Sequence, residues 1–179
     1  MREAAVRRRS HPRVTGDAPS REELLHLIEA ASGVADHGAL RPWRLVELRG
    51  EARQRLGDSL VAASAARGIT NSHLATKPSR AELLLAIVSV TKPSLKVPAW
   101  EQDATAAGVA HVLSLLLDEA GWGVMWRSGP FVDASEVREL HGLRENERLL
   151  GWLYVGGVPD GTRDGPKLPV DPGAFLTAL

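Results

Sequence analysis

The chain contains no cysteine, which excludes disulfides, thiolate metal sites, iron–sulfur clusters and a cysteine nucleophile together. Net charge is also missing: 22 Lys plus Arg balance 22 Asp plus Glu. The basic excess typical of a nucleic-acid or anionic-membrane binder is therefore absent, and neither partner is expected. The longest purely apolar stretch, Leu83–Val88, falls far short of the ~20 residues of a spanning helix. The chain opens Met1-Arg2-Glu3 with no hydrophobic signal core, so a cytoplasmic address is expected. No internal repeat is visible. What is present, 179 residues of which 44% are apolar and 25% charged, suits a single domain over 1–179. A chain of that size buries roughly 70% of its unfolded surface and needs no staples.

Residues 1–19 read as a polar arm ending in a turn at Gly16-Asp17-Ala18-Pro19. Ser20 opens a helix with Glu23 at the capping-box spacing, and Leu24, Leu27, Ile28 and Ala31 give it one apolar face. Residues 32–42 read as a loop, Trp43–Leu48 as a short strand, and Glu51–Arg67 as a second helix stopped by Gly68. The polar stretch 69–82 has no period, and the apolar run Leu83–Val90 that follows reads as a buried strand. Trp100–Ala120 is the strongest helix, with Val109, Val112, Leu113, Leu116, Leu117 and Ala120 on one face, small residues in its first half, and Gly121 after its end. Gly123–Trp126 is a third strand, Asp133 caps a short helix closed by Gly142, and Leu149–Val155 is a fourth strand. The tail 158–179 holds Pro159, Pro166, Pro169 and Pro172 and reads as disordered or extended along a surface. Strands separated by helices imply an α+β or α/β domain of three layers.

Three polar clusters could carry chemistry. Arg7-Arg8-Arg9-Ser10 offers forked guanidinium donors and a hydroxyl, suited to a phosphate, although a solvated basic arm reads the same way. Asp36-His37-Gly38, ahead of Arg41-Pro42-Trp43, places a histidine in a glycine-flanked loop, where it serves a ligand or merely caps a carbonyl. Trp126-Arg127-Ser128 sits at the exit of a buried strand, either an anion site at a sheet edge or an ordinary surface arginine. Other templates fail: no phosphate-binding loop, dinucleotide fingerprint, nucleophile elbow or zinc-protease helix occurs. His26, His73, His111 and His141 supply no metal-ligand pair four residues apart.

Taken in order, RRRS (7–10), ADHGALRPW (35–43), KVPAWEQ (96–102), DEAGWG (118–123), VMWRSG (124–129) and LLGWLYVGG (149–157) resemble the nitroreductase superfamily, in particular its short bacterial branch. The resemblance implies an α+β, three-layer fold with a mixed central sheet flanked by helices. It also implies an intertwined homodimer with FMN at the subunit interface, the long helix central to the dimer and the proline-rich tail packed on the partner. Arg8, Arg9 and Ser10 then resemble an N-terminal FMN clamp, and Trp126, Arg127 and Ser128 its second part, with Arg127 aimed at the phosphate. His37 is similar to the loop histidine that approaches the flavin from the other subunit. Gly33 stands where the branch often has a basic or polar residue on the flavin, and Ala35 and Glu82 replace prolines usual there. The same branch carries a nicotinamide-nucleotide stretch, here Leu116, Leu117, Asp118, Glu119, Ala120 and Gly121. Two carboxylates and the negative end of a helix oppose a dinucleotide's phosphates at that place.

The implied activity is FMN-dependent oxidation of NADH or NADPH with a nitroaromatic or quinone-like acceptor, a small molecule, in a ping-pong cycle. No protein nucleophile is needed, in keeping with the missing cysteine. Arg13, just past the clamp, is the candidate cation for flavin N1/O2. An FMN-binding or flavin-storage protein with little turnover fits the same residues.

Overall fold

The computed structural model describes residues 2–162 and 167–179. Nine regular elements occur in chain order: α1 (Arg2–Arg7), α2 (Arg21–Ala31), β1 (Trp43–Leu48), α3 (Glu51–Ala66), β2 (Leu83–Val90), α4 (Ala99–Glu119), β3 (Trp122–Arg127), α5 (Ser135–Leu140) and β4 (Glu147–Gly157). Short 3-10 turns lie at His37–Ala39, Ser72–Leu74, Pro78–Arg80 and Pro172–Phe175.

The sheet runs β1-β2-β4-β3. β2, whose residues are almost all apolar, takes an interior place and is buried from Leu83 through Ser89. α2 and α4 cover one face: Leu24, Val109, Leu113 and Leu117 pack on Leu83, Leu85, Ile87, Leu153 and Val155. α3 and α5 cover the other, with Leu56, Leu60 and Val137 on Leu84, Ala86, Val88, Trp152 and Tyr154. The alternation of side chains along each strand feeds both layers, as the three-layer reading expects.

The expected mixed sheet is corrected. Each pairing among the described residues, β1 with β2, β2 with β4, and β3 with β4, is antiparallel. A helix between two strands enforces parallel pairing only when the whole connection is a compact crossover. Here the stretch 67–82, with its two 3-10 turns, separates α3 from β2 and can return the chain to either end of the sheet.

Three smaller expectations also change. The first residues of the stretch read as a polar arm form a helix, α1, whose Ala4 is buried and whose Arg7 makes a 3.6 Å ion pair with Asp118 on α4. Ser20 does accept from the Glu23 N–H at 3.1 Å, but the Glu23 carboxylate turns away to accept the Trp122 indole N–H at 2.7 Å. Asp133 does not cap α5; Ala134 holds the N-cap position, without a side-chain bond. In the tail, Asp171 caps the Pro172–Phe175 turn, and Leu168, Val170, Phe175, Leu176 and Leu179 stand exposed. Pro166 lies outside the described residues. No helix among the described residues is long and apolar enough to cross a membrane.

Candidate functional site

The N-terminal arm reaches the sheet because glycines clear its path. On β3 and β4, Gly123 pairs with Gly156, and Trp122 with Gly157. A Cβ on Gly156 would lie 2.6 Å from Val14 Cγ2 and 2.8 Å from Thr15 O; one on Gly157 would lie 2.3 Å from Thr15 Oγ1. Bare backbone there lets the arm lie directly on the strands. The contact is fixed by His11 N–H to Val124 O (3.0 Å), Thr15 N–H to Gly157 O (2.8 Å) and Gly157 N–H to Asp17 O (3.1 Å).

Strand parity sends the side chains at the end of β3 to opposite faces of the sheet. Trp126 points to the α4 side, where its ring packs on His111 at 5.0 Å between centroids. Its indole N–H donates to Leu150 O at 3.2 Å. That carbonyl is available because the pairing of β2 with β4 shifts between Ile87 and Val88, leaving Leu150 out of register. Gly151, at φ +125, is also required: a Cβ would sit 2.6 Å from Arg127 O and 2.7 Å from Trp126 Nε1.

Arg127 points to the opposite face, beside Trp152 and Tyr154. Its guanidinium carbon sits 5.3 Å from the Tyr154 ring centroid, and Nη2 donates to Pro12 O at 3.2 Å, tying β3 to the arm. Its Nε is buried without a hydrogen-bond partner among the described residues. A cleft of about 630 Å³ opens here, with Met125, Trp152, Tyr154 and Phe131 among its apolar walls. Lys77, Arg80 and Arg127 supply cationic groups around it, and Ser128 lies at its edge. Burial raises the Tyr154 phenol above its usual range, and the cations Arg127 and Arg80 partly offset that. The cleft therefore combines a flat apolar and aromatic surface with fixed positive charge, chemistry suited to a planar ligand bearing an anionic tail.

The other predicted residues are only partly gathered. Arg8 reaches Ser10 Oγ at 3.5 Å. Arg9 folds back on the end of α1, donating to Arg7 O at 2.8 Å and to Val6 O and Arg8 O at 3.2 Å, while its Nε is buried and unpartnered. Arg13 is exposed, and Gly33 lies just past α2 with its N–H on Ala30 O at 3.2 Å. His37 bonds through Nδ1 to Glu101 Oε1 at 2.9 Å near the start of α4. Glu101 and the His111 that packs edge-tilted against Trp126 are ten residues apart on α4, about 15 Å at 1.5 Å per residue. One chain thus keeps His37 well away from Trp126 and Arg127. In the stretch 116–121, Leu117 is fully buried and Asp118 is covered by Arg7, leaving Glu119, Ala120 and Gly121 exposed.

Sequence reasoning passed over Lys77 and Arg80, which flank Pro78 and Ser79 immediately before a buried strand. Two cations in an aperiodic segment that feeds the centre of a sheet were the available signal.

Fold and site together define a member of a known class. A family model described as "Nitroreductase family" matches residues 5–157, and the chain belongs to the nitroreductase family. It is 30% identical over 178 residues to "Putative NAD(P)H nitroreductase YdjA" of Escherichia coli, covering 98% of this chain and 97% of that one. It is likewise 30% identical over 153 residues to "Putative NAD(P)H nitroreductase" of Haemophilus influenzae, covering 83% of each. Among solved structures, a nitroreductase-like family protein from Bacillus cereus superposes with a TM-score of 0.83 at 21% identity, covering 99% of this chain and 95% of that one. The FMN and NADPH-dependent nitroreductase NfnB, from "sphigopyxis sp. strain HMH", gives 0.75 at 20% identity and 99% and 98% coverage. These likenesses place the fold.

Proposed function

We propose that the protein is an FMN-dependent oxidoreductase that takes electrons from NADH or NADPH and passes them to nitroaromatic or quinone-like acceptors in a ping-pong cycle. The observation that carries this reading is the Arg127 guanidinium. It is fixed over Tyr154 with a buried, unpartnered Nε, at a cleft that Lys77 and Arg80 also line. An anionic ligand in the cleft would meet the charge of this guanidinium and of Lys77 and Arg80. FMN fits both halves of the cleft, its ring system on the apolar walls and its phosphate among the guanidiniums. Arg127, with Arg8, Arg9 and Ser10 of the arm, would hold the phosphate end; Trp126 and Ser128 would flank it. Lys77 and Arg80 join Arg13 as cations available to the ring's polar edge. FMN when bound supplies the hydride and electron chemistry. The protein's own part is to bind it, fix its orientation and keep water from its buried face.

Named relatives support the nicotinamide donor, since two of them carry the name NAD(P)H nitroreductase. The 15 Å gap along α4 supports a homodimer, because His37 completes the site only if it belongs to a second chain. The tail's exposed leucines and Phe175, and the apolar groove beside edge strand β1 around Leu24, Leu25 and Ile28, support the same arrangement. A cytoplasmic address belongs to the proposal, where both donors are made.

The test is direct. The purified protein should show a flavin spectrum, release a compound of FMN mass on denaturation, and bleach rapidly when mixed with NADPH or NADH under anaerobic conditions. Bound FMN that fails to bleach would refute turnover and leave a flavin carrier; a colourless protein that FMN does not colour would refute both.

A further inference from the structure

His141 is the one buried histidine among the described residues and has no place in the function proposed above. It ends α5 and is 5% exposed. Its Nδ1 lies 2.8 Å from Val137 O, and its Nε2 lies 3.0 Å from the indole N–H of Trp152. A carbonyl accepts and an indole N–H donates, so both contacts are satisfied by a single form: neutral, with the proton on Nδ1. Trp152, 4% exposed, is itself a wall of the Arg127 cleft and the strand neighbour of Arg127 across β3 and β4.

We propose that His141 is a positioning residue for the cleft: its neutral ring fixes the Trp152 indole as a wall against bound flavin, and protonating that ring releases the wall. The proposal rests on the flavin reading of the cleft. An added proton on Nε2 would face the indole N–H, placing two donors against each other in a dry site.

Among the described residues, the surroundings give the imidazolium no free counter-ion. On β1, Arg44 donates to His141 O at 3.3 Å, adding positive charge. On β4, Glu147 is fully engaged by Arg44 through two 2.8 Å bonds and by the Arg144 N–H at 3.0 Å. On α5, Arg138 donates to Glu147 O and Arg144 O. α3, packed on α5, commits Arg53 to Ala81 O and Glu82, and Arg67 just past its end donates to Pro130 O. Burial and the Arg44 charge accordingly hold the His141 ring below its ordinary range, outweighing the Val137 carbonyl.

The experiment measures the FMN dissociation constant by flavin fluorescence between pH 7.5 and 4.5, and indole emission of the FMN-free protein over the same range. Four proteins are compared: native, His141→Gln, His141→Phe, and His141→Phe with Trp152→Phe. Native protein should lose about fivefold to tenfold in FMN affinity in acid, the worth of one neutral hydrogen bond, with a parallel change in indole emission. His141→Gln keeps an acceptor for the indole and cannot titrate, so it should bind near native strength at pH 7.5 without that extra loss. Titration of the FMN phosphate itself affects all four proteins equally and cancels. His141→Phe should bind more weakly at every pH, and the double variant, which has lost the indole wall as well, should bind no better than His141→Phe and show no acid limb beyond that of the FMN phosphate. An acid limb in His141→Gln identical to native overturns the proposal, as does native affinity in His141→Phe. If native protein binds no FMN, the flavin reading fails instead; with five tryptophans in the chain, it is the acid change in indole emission present in native protein and lost in His141→Gln that still reports whether His141 governs Trp152.

Discussion

Arg127 at the end of β3 and Pro12 in the N-terminal arm are joined by a 3.2 Å hydrogen bond from Nη2 to the proline carbonyl. The same side chain that holds the arm is left with a buried, unpartnered Nε at the cleft. Replacing Arg127 with alanine removes both functions. FMN affinity should fall about tenfold to hundredfold, the range of a charge-assisted hydrogen bond. Arg127→Lys, which keeps the charge and loses the planar fork, should recover only part of that. Flavin fluorescence titrations check both; native affinity in Arg127→Ala would remove this residue from the site.

The glycine floor under the arm gives a prediction with an internal control. Gly156→Ala brings a Cβ within 2.8 Å of Thr15 O, which is backbone and cannot turn away. Gly123→Ala meets Val14 Cγ1 at 2.9 Å as its nearest neighbour, a side-chain atom that can be removed. Each substitution should cost about 1–3 kcal/mol, the usual size of overpacking, and weaken FMN binding. Adding Val14→Ala should rescue Gly123→Ala more fully in a urea melt than Gly156→Ala, which sheds the Val14 Cγ2 clash but keeps Thr15 O and Val14 Cβ at 2.8 Å. Equal rescue of both would mean that the arm does not sit on β3 and β4 as described.

These cases also show what the amino-acid string discloses. β1 and β2 begin and end at the expected residues, and α4 is displaced by one, because long apolar runs and a strong helical period report burial directly. Arg127 was visible as an arginine leaving a buried strand. Tyr154 and Trp152 were visible only as strand residues: which of them faces Arg127 depends on the register of β3 against β4, a pairing between distant segments. Lys77 caps and Arg80 ends a single 3-10 turn with no period to read, and α1 has six residues, too few to show one. The antiparallel sheet was illegible for a related reason, since the path of 67–82 is set by tertiary packing.

Glu147 and Arg44 should set the acid limit of the fold. The Glu147 side chain is fully buried, and its Arg44 bonds, with help from the Arg144 N–H, hold its carboxyl down at about 2. A carboxyl depressed on folding stabilises at pH above its unfolded value near 4.5 and loses that contribution as pH falls toward 2. Linkage puts the contribution at roughly 3 kcal/mol. Glu147→Gln leaves Arg44 and the Arg144 N–H facing a neutral group and should destabilise by about 3 kcal/mol at pH 7. It should also flatten the stability profile between pH 4.5 and 2. Chemical melts across that range check the claim, and an unchanged acid limb in the variant would assign the loss to other carboxylates.

A site assembled from two chains has a signature that no single-chain site can imitate. If the protein assembles as the homodimer proposed above, His37→Ala and Arg127→Ala proteins should each bind FMN poorly, since every site in them lacks one contributor. A mixed dimer of the two variants holds one site lacking both side chains and one in which the Arg127 of the first chain meets the His37 of the second. Co-expression with two affinity tags isolates that mixed dimer, and it should bind close to one FMN per dimer with native affinity. If His37 instead served the cleft of its own chain, both sites of the mixed dimer would be defective and no high-affinity fraction would appear. Counting tight sites by flavin titration therefore separates the two arrangements, and the result does not depend on how much each side chain contributes.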